Sequence, residues 1–138
     1  MIGLDTNILA RYYIDDDADE EAKKQQKIAK KLIESKQELM ICKTVLLEFE
    51  WVMRGYYGFK VADVLRVFRH LLSLTHIEIE DRDLVERAVF GLDNKLDFAD
   101  ALHHASYYQC KNVASFDDKK FARRLNRLAI LPKVIIPK

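Results

Sequence analysis

Acidic residues stand where this sequence most readily builds chemistry. Asp5 closes a short apolar run and is followed by Thr6 and Asn7. Glu48 and Glu50 lie inside the apolar stretch 44–53, Asp97 and Asp100 precede an apolar helical stripe, and Asp117 follows Ser115 and Phe116. Carboxylates brought to about 4 Å repel by roughly 4 kcal/mol per pair at an effective dielectric near 20, so a cluster of them calls for a cation. All-oxygen ligands favour Mg²⁺, or Mn²⁺, over zinc. Such an ion, held by a few carboxylates and several waters, activates water and stabilises charge on a phosphate ester under attack. No serine or cysteine nucleophile arrangement competes, and GxGxxG, GxxxxGK[ST], GxSxG, HExxH and CxxC are all absent.

Each acid has a plainer role open to it. Asp5, Asp97 and Asp117 stand where an Asp side chain can cap a helix N-terminus, worth about 1 kcal/mol. Asp100 follows Asp97 by three residues, as in a capping box, where an acid also suits the helix dipole. Glu48 and Glu50 are about 200° apart on a helix, so they cannot share a face. The 44–53 helix is apolar nearly all round, which predicts burial, and a buried carboxylate needs a partner. Glu50 has one available in Arg54 at i+4; periodicity alone does not choose between the two glutamates. Asp97, Asp100 and His104 fall on one helix face by their spacing. His103 and His104 point about 100° apart and so rarely share one ion; His104 either supports Asp100 or packs within the helix.

The elements that must position these groups alternate. Short strands are predicted at 1–5, 39–42, 77–80, 112–116 and 133–136. Helical spacing marks 22–36, with Ile28, Leu32 and Ile33 as its apolar stripe, then 44–53, 60–73, 97–110 and 118–128, with 55–58 as a breaker. Asp81 can cap a further helix carrying Leu84, Val85, Ala88 and Val89. Strands alternating with helices predict an α/β fold with a mostly parallel sheet, whose functional site lies at the carboxyl ends of the strands. Trp51 is expected in the core, Cys42 and Cys110 as small buried apolar residues, and His70 and His76 without partners.

Composition sets the remaining bounds. A chain of 138 residues predicts a single domain spanning 1–138, and 49% hydrophobic with 33% charged residues argues against disorder. The formal net charge of +1 excludes a globally basic nucleic-acid coat. Charge is nonetheless uneven: residues 1–21 hold one basic and seven acidic residues, net −6, and residues 111–138 hold eight basic and two acidic, net +6. Lys119, Lys120, Arg123, Arg124 and Arg127 form either a solvated helix face or a phosphate-binding patch. No apolar run approaches the roughly 20 residues of a membrane span. No signal peptide is visible, and two cysteines suit a reducing compartment, so a cytoplasmic location is expected.

Four segments in order, Met-Ile-Gly-Leu-Asp5-Thr6-Asn7, Leu46-Leu47-Glu48-Phe49-Glu50-Trp51-Val52, Asp97-Phe98-Ala99-Asp100-Ala101-Leu102 and Ala114-Ser115-Phe116-Asp117, resemble the PIN domain. Across its whole length the chain looks like a VapC-type toxin ribonuclease of a bacterial toxin–antitoxin pair. The resemblance implies a three-layer α/β/α sandwich around a mostly parallel five-stranded sheet. It matches the family's acids to Asp5, Glu48, Asp100 and Asp117, with Asp5 and Asp100 on the metal and Thr6, Asn7, Asp97 and Ser115 in support. It implies Mg²⁺ or Mn²⁺, RNA as substrate, a homodimer, and a hetero-oligomer with a VapB-like antitoxin. The stretch Tyr56-Tyr57-Gly58-Phe59 is either a contact surface for that partner or packing between two helices.

Two other functions remain readable. A phosphatase working through an aspartyl intermediate would suit an acid ending the first strand, although such enzymes carry Asp-x-Asp and position 7 is Asn. A non-catalytic PIN module binding RNA or protein would not need four clustered carboxylates.

Overall fold

β1 (Ile2–Gly3) runs into α1 (Thr6–Tyr13) through Asp5, whose extended backbone and side chain cap the helix. α2 (Glu20–Glu34), β2 (Leu39–Ile41), α3 (Lys43–Trp51), α4 (Val61–Ser73) and β3 (Ile77–Ile79) follow. The chain continues with α5 (Arg82–Asp93), α6 (Phe98–Ser106), β4 (Asn112–Ala114), α7 (Arg123–Arg127) and β5 (Lys133–Ile135). This computed structural model describes all 138 residues. The alternation is α/β, and every strand pairing is parallel. The five strands do not share one hydrogen-bonded ladder: β1-β2-β3 form one sheet and β4-β5 another. Strands of two or three residues offer few ladder bonds, which favours this division.

The chain divides into two compact units, Met1–Arg82 and Asp83–Lys138. In the first, Leu39 and Ile41 of β2 and Ile77 and Ile79 of β3 are buried, so both strands are apolar on the covered face. Phe49 of α3 packs edge-on to Phe68 of α4, with ring centres 6.4 Å apart. α2 turns Ala22, Ala29 and Ile33 inward and leaves Ile28 exposed, so the stripe expected through Ile28 is displaced onto the small residues. In the second unit, α5 and α6 meet closely at Gly91, where a Cβ would stand 2.7 Å from the Cβ of Ala101. Phe121 and Leu125 are buried, as helical spacing predicts.

Several local expectations are corrected. α3 does not stop before Gly55; it continues as a π-helical turn, Val52–Tyr56, and the chain reverses at Gly58, whose φ of +70° suits glycine. Trp51 is 56% exposed rather than core. Its indole lies against Gly55, where a Cβ would approach to 3.0 Å, so the missing side chain gives the ring its seat outside the core. Asp81 adopts φ +47° and its carboxylate pairs with Lys43 Nζ at 2.6 Å instead of capping α5. His70 and His76 both have partners: Tyr13 hydroxyl to His70 Nδ1 at 2.7 Å, and His76 Nε2 to the carbonyl of Ile33 at 2.7 Å. Cys42 is only half-buried and Cys110 is exposed. The Cys42 thiol is held below its usual range, first by its hydrogen bond with Thr44.

Candidate functional site

The first unit supplies Asp5, Thr6, Asn7 and Glu48. Asp5 is exposed, and its Oδ1 accepts the Thr6 N–H at 2.8 Å, so the helix-cap role is real and uses one carboxylate oxygen. The adjoining Thr6 is 7% exposed, and its hydroxyl has no hydrogen-bond partner. Buried hydroxyls are rarely left unsatisfied, so this one is suited to a water or ion ligand beside Asp5. Asn7 lies with Arg11 and Gln25 along a cleft of about 230 Å³ between α1 and α2.

The two glutamates of α3 separate cleanly. Glu50 is 2% exposed and is neutralised by Arg54, with Nε to Oε2 at 2.8 Å and Nη2 to Oε1 at 3.4 Å. Glu48 is exposed and forms no ion pair or hydrogen bond through its carboxylate. Helix geometry turns the one inward and the other outward, and the inward acid takes the cation one turn on. Glu48 is therefore the glutamate free to meet a ligand.

The second unit supplies Asp97, Asp100, Ser115 and Asp117. Asp97 caps α6, its Oδ2 accepting the Asp100 N–H at 3.1 Å. Asp117 follows β4 and caps the π-helical turn Asp118–Ala122, its Oδ1 accepting the Lys120 N–H at 3.0 Å. The Asp117 N–H in turn donates to Ser115 Oγ at 3.0 Å, so Ser115 fixes the backbone that presents the acid. Asp100 is half-buried and feels the charge of both carboxylates. Burial, then the charges of Asp97 and Asp117, raise its pKa above the ordinary 3.8, and His103 partly offsets them.

The histidine beside Asp100 is thus His103, not His104. His104 is 2% exposed; its Nε2 bonds the Pro132 carbonyl at 2.7 Å, and its ring meets Phe121 edge-on. Helical spacing placed both three or four residues from Asp100, and only the burial of the α6 face separates them.

No three His, Cys, Asp or Glu side chains converge to a metal-holding arrangement in this structure. The donor set nonetheless suits a hard divalent ion: all of the candidate ligands are oxygens, and the acids around Asp100 repel one another until a cation is present. Mg²⁺ characteristically keeps several waters and few protein ligands, so a loose set is compatible with it.

Because the pKa of Asp100 is raised on folding, its ionisation opposes folding. The cost is absent well below pH 3.8 and fully present above the raised value. If Asp100 is an ion ligand, Mg²⁺ binding should offset that cost, raising Tm by an amount equivalent to about 2.7 kcal/mol at a hundredfold excess over Kd. The increment should shrink as pH falls through the raised pKa, where a proton competes with the ion. Thermal melts with and without Mg²⁺ across acidic to neutral pH check this; an increment independent of pH would contradict the role given to Asp100.

The PIN domain model matches residues 2–126, nearly the whole chain, and the protein belongs to that family. PIN domains are generally nucleases and commonly use divalent metals such as Mg²⁺. A search of the curated proteins found no match. No helix is long and apolar enough to cross a membrane.

Proposed function

We propose that this protein, a single domain over residues 1–138, is the toxin of a type II toxin–antitoxin pair, a cytoplasmic Mg²⁺-dependent endoribonuclease. The observation that carries this reading is the family match over 2–126 together with the state of the acids. Asp5 and Asp117 sit just past strand ends, Asp100 opens α6 under like-charge repulsion, and Glu48 is outward and unpaired while its neighbour Glu50 is neutralised. The caps at Asp5, Asp97 and Asp117 each engage one oxygen and leave the other for a ligand.

Asp5 and Asp100 would hold the ion, with Mn²⁺ able to replace Mg²⁺. When bound, the ion supplies charge stabilisation at the scissile phosphate and lowers the pKa of the attacking water. Glu48 and Asp117 orient water and accept its proton, while Thr6, Asn7, Asp97 and Ser115 keep the carboxylates in position. The products are two RNA ends formed by in-line hydrolysis of one phosphodiester.

Toxin action also requires restraint by a partner, here a VapB-like antitoxin in a hetero-oligomer, with the toxin itself a homodimer. The candidate contact stretch Tyr56-Tyr57-Gly58-Phe59 has Tyr56 72% exposed and Tyr57 and Phe59 half-buried, which supports a protein-binding role for it. Induced expression of the chain alone in a bacterial host should arrest growth, and Asp5→Asn should not. Normal growth with soluble wild-type protein accumulating would overturn the toxin role, leaving nuclease activity to be judged by RNA cleavage.

A further inference from the structure

Phe116 is 83% exposed, the most exposed of the chain's large apolar residues. The backbone on either side of it is anchored. Ser115 N–H bonds the Ile135 carbonyl at 3.0 Å, Asp117 N–H bonds Ser115 Oγ at 3.0 Å, and Lys120 N–H bonds Asp117 Oδ1 at 3.0 Å. The phenyl ring therefore projects from a fixed base rather than from a slack loop.

Its charged surroundings are asymmetric. Of the two acids that follow, Asp118 is taken by Arg123 at 2.8 Å. Lys119 and Lys120 are exposed and form no ion pair, and residues 111–138 carry a net +6. An exposed aromatic ring three and four residues from unpaired cations supplies the two elements that bind single-stranded nucleic acid, a ring to stack on a base and cations to meet phosphates. A duplex keeps its base faces inside the stack and has none to offer.

We propose that Phe116 is a stacking platform for one unpaired base of the RNA substrate, with Lys119 and Lys120 holding the adjoining phosphates. This rests on the ribonuclease reading above. Phe116 directly precedes Asp117, so the stacked base sets which phosphodiester is presented to the carboxylates. Because every base has a face to stack, this contact selects single-stranded RNA and imposes little sequence preference.

The test is fluorescence anisotropy of a labelled, short single-stranded RNA of mixed sequence, with EDTA present to block cleavage. Phe116→Ala should weaken binding about 5- to 100-fold with Tm unchanged. Phe116→Tyr should restore it, and Phe116→Leu should not. Replacing Lys119 or Lys120 by Ala should reduce the slope of log K against log salt by about 0.7 each. Wild-type binding with Phe116→Ala or Phe116→Leu equally tight would overturn the proposal while leaving the nuclease reading intact. Loss of dimerisation in Phe116→Ala with RNA affinity unchanged would overturn it in favour of an interface between copies. An absence of RNA binding by the wild type, joined to an absence of cleavage with Mg²⁺, would overturn both.

Discussion

Asp100→Asn should reduce RNA cleavage by about 10³-fold or more, since loss of an ion ligand removes several kcal/mol of charge stabilisation at the phosphate. The same substitution should leave the protein folded and, without metal at neutral pH, slightly raise its Tm. That second effect follows from the local field: Asp100 is ionised against burial and against Asp97 and Asp117, and an amide removes the repulsion while keeping the shape. The N–H of residue 100 still bonds Asp97, so the start of α6 is unaffected. The Mg²⁺-induced rise in Tm should largely vanish. Activity retained in a folded Asp100→Asn protein would remove Asp100 from the site, whereas a fall in metal-free Tm would show that its carboxylate is structural.

Glu48 and Glu50 should respond in opposite ways although one residue separates them. Arg54→Ala would leave Glu50 buried and without its cation, which costs about 3 kcal/mol when such a pair is broken from one side. For a chain of this size the loss corresponds to a Tm lowered by roughly 10 °C. Glu48→Gln should leave Tm within about 2 °C of wild type, as expected of an exposed residue without a partner, and should suppress cleavage. Paired melts and cleavage assays separate the two. A stability loss in Glu48→Gln, or none in Arg54→Ala, would exchange their roles.

The same pair shows what was legible before the structure. The i+4 relation of Glu50 to Arg54 was present in the sequence, but a helix apolar on nearly every side gave no signal of which face was covered. Trp51 failed for the related reason that its seat on Gly55 depends on a π-helical turn, which leaves no periodic trace. Asp5, Asp97 and Asp117 were legible as strand ends and helix caps because those are local backbone requirements. The α/β alternation and all five strands were readable from short apolar runs. Their division into a three-stranded and a two-stranded ladder was not, since two- and three-residue strands encode no pairing preference. His103 and His104 are equally spaced from Asp100 to within one residue, and the Pro132 carbonyl that claims His104 lies 28 residues away in sequence. Phe116 could have been noticed as an aromatic beside an acid and two lysines; its exposure required the structure.

The most direct test of the central claim is incubation of total cellular RNA with purified, partner-free protein in Mg²⁺, in Mn²⁺ and in EDTA, beside Asp5→Asn. Discrete fragments that form with either ion, and disappear in EDTA and in the mutant, are the predicted result. A folded protein that leaves RNA intact with both ions, or cleaves it equally well in EDTA, would contradict metal-dependent hydrolysis by this set of carboxylates.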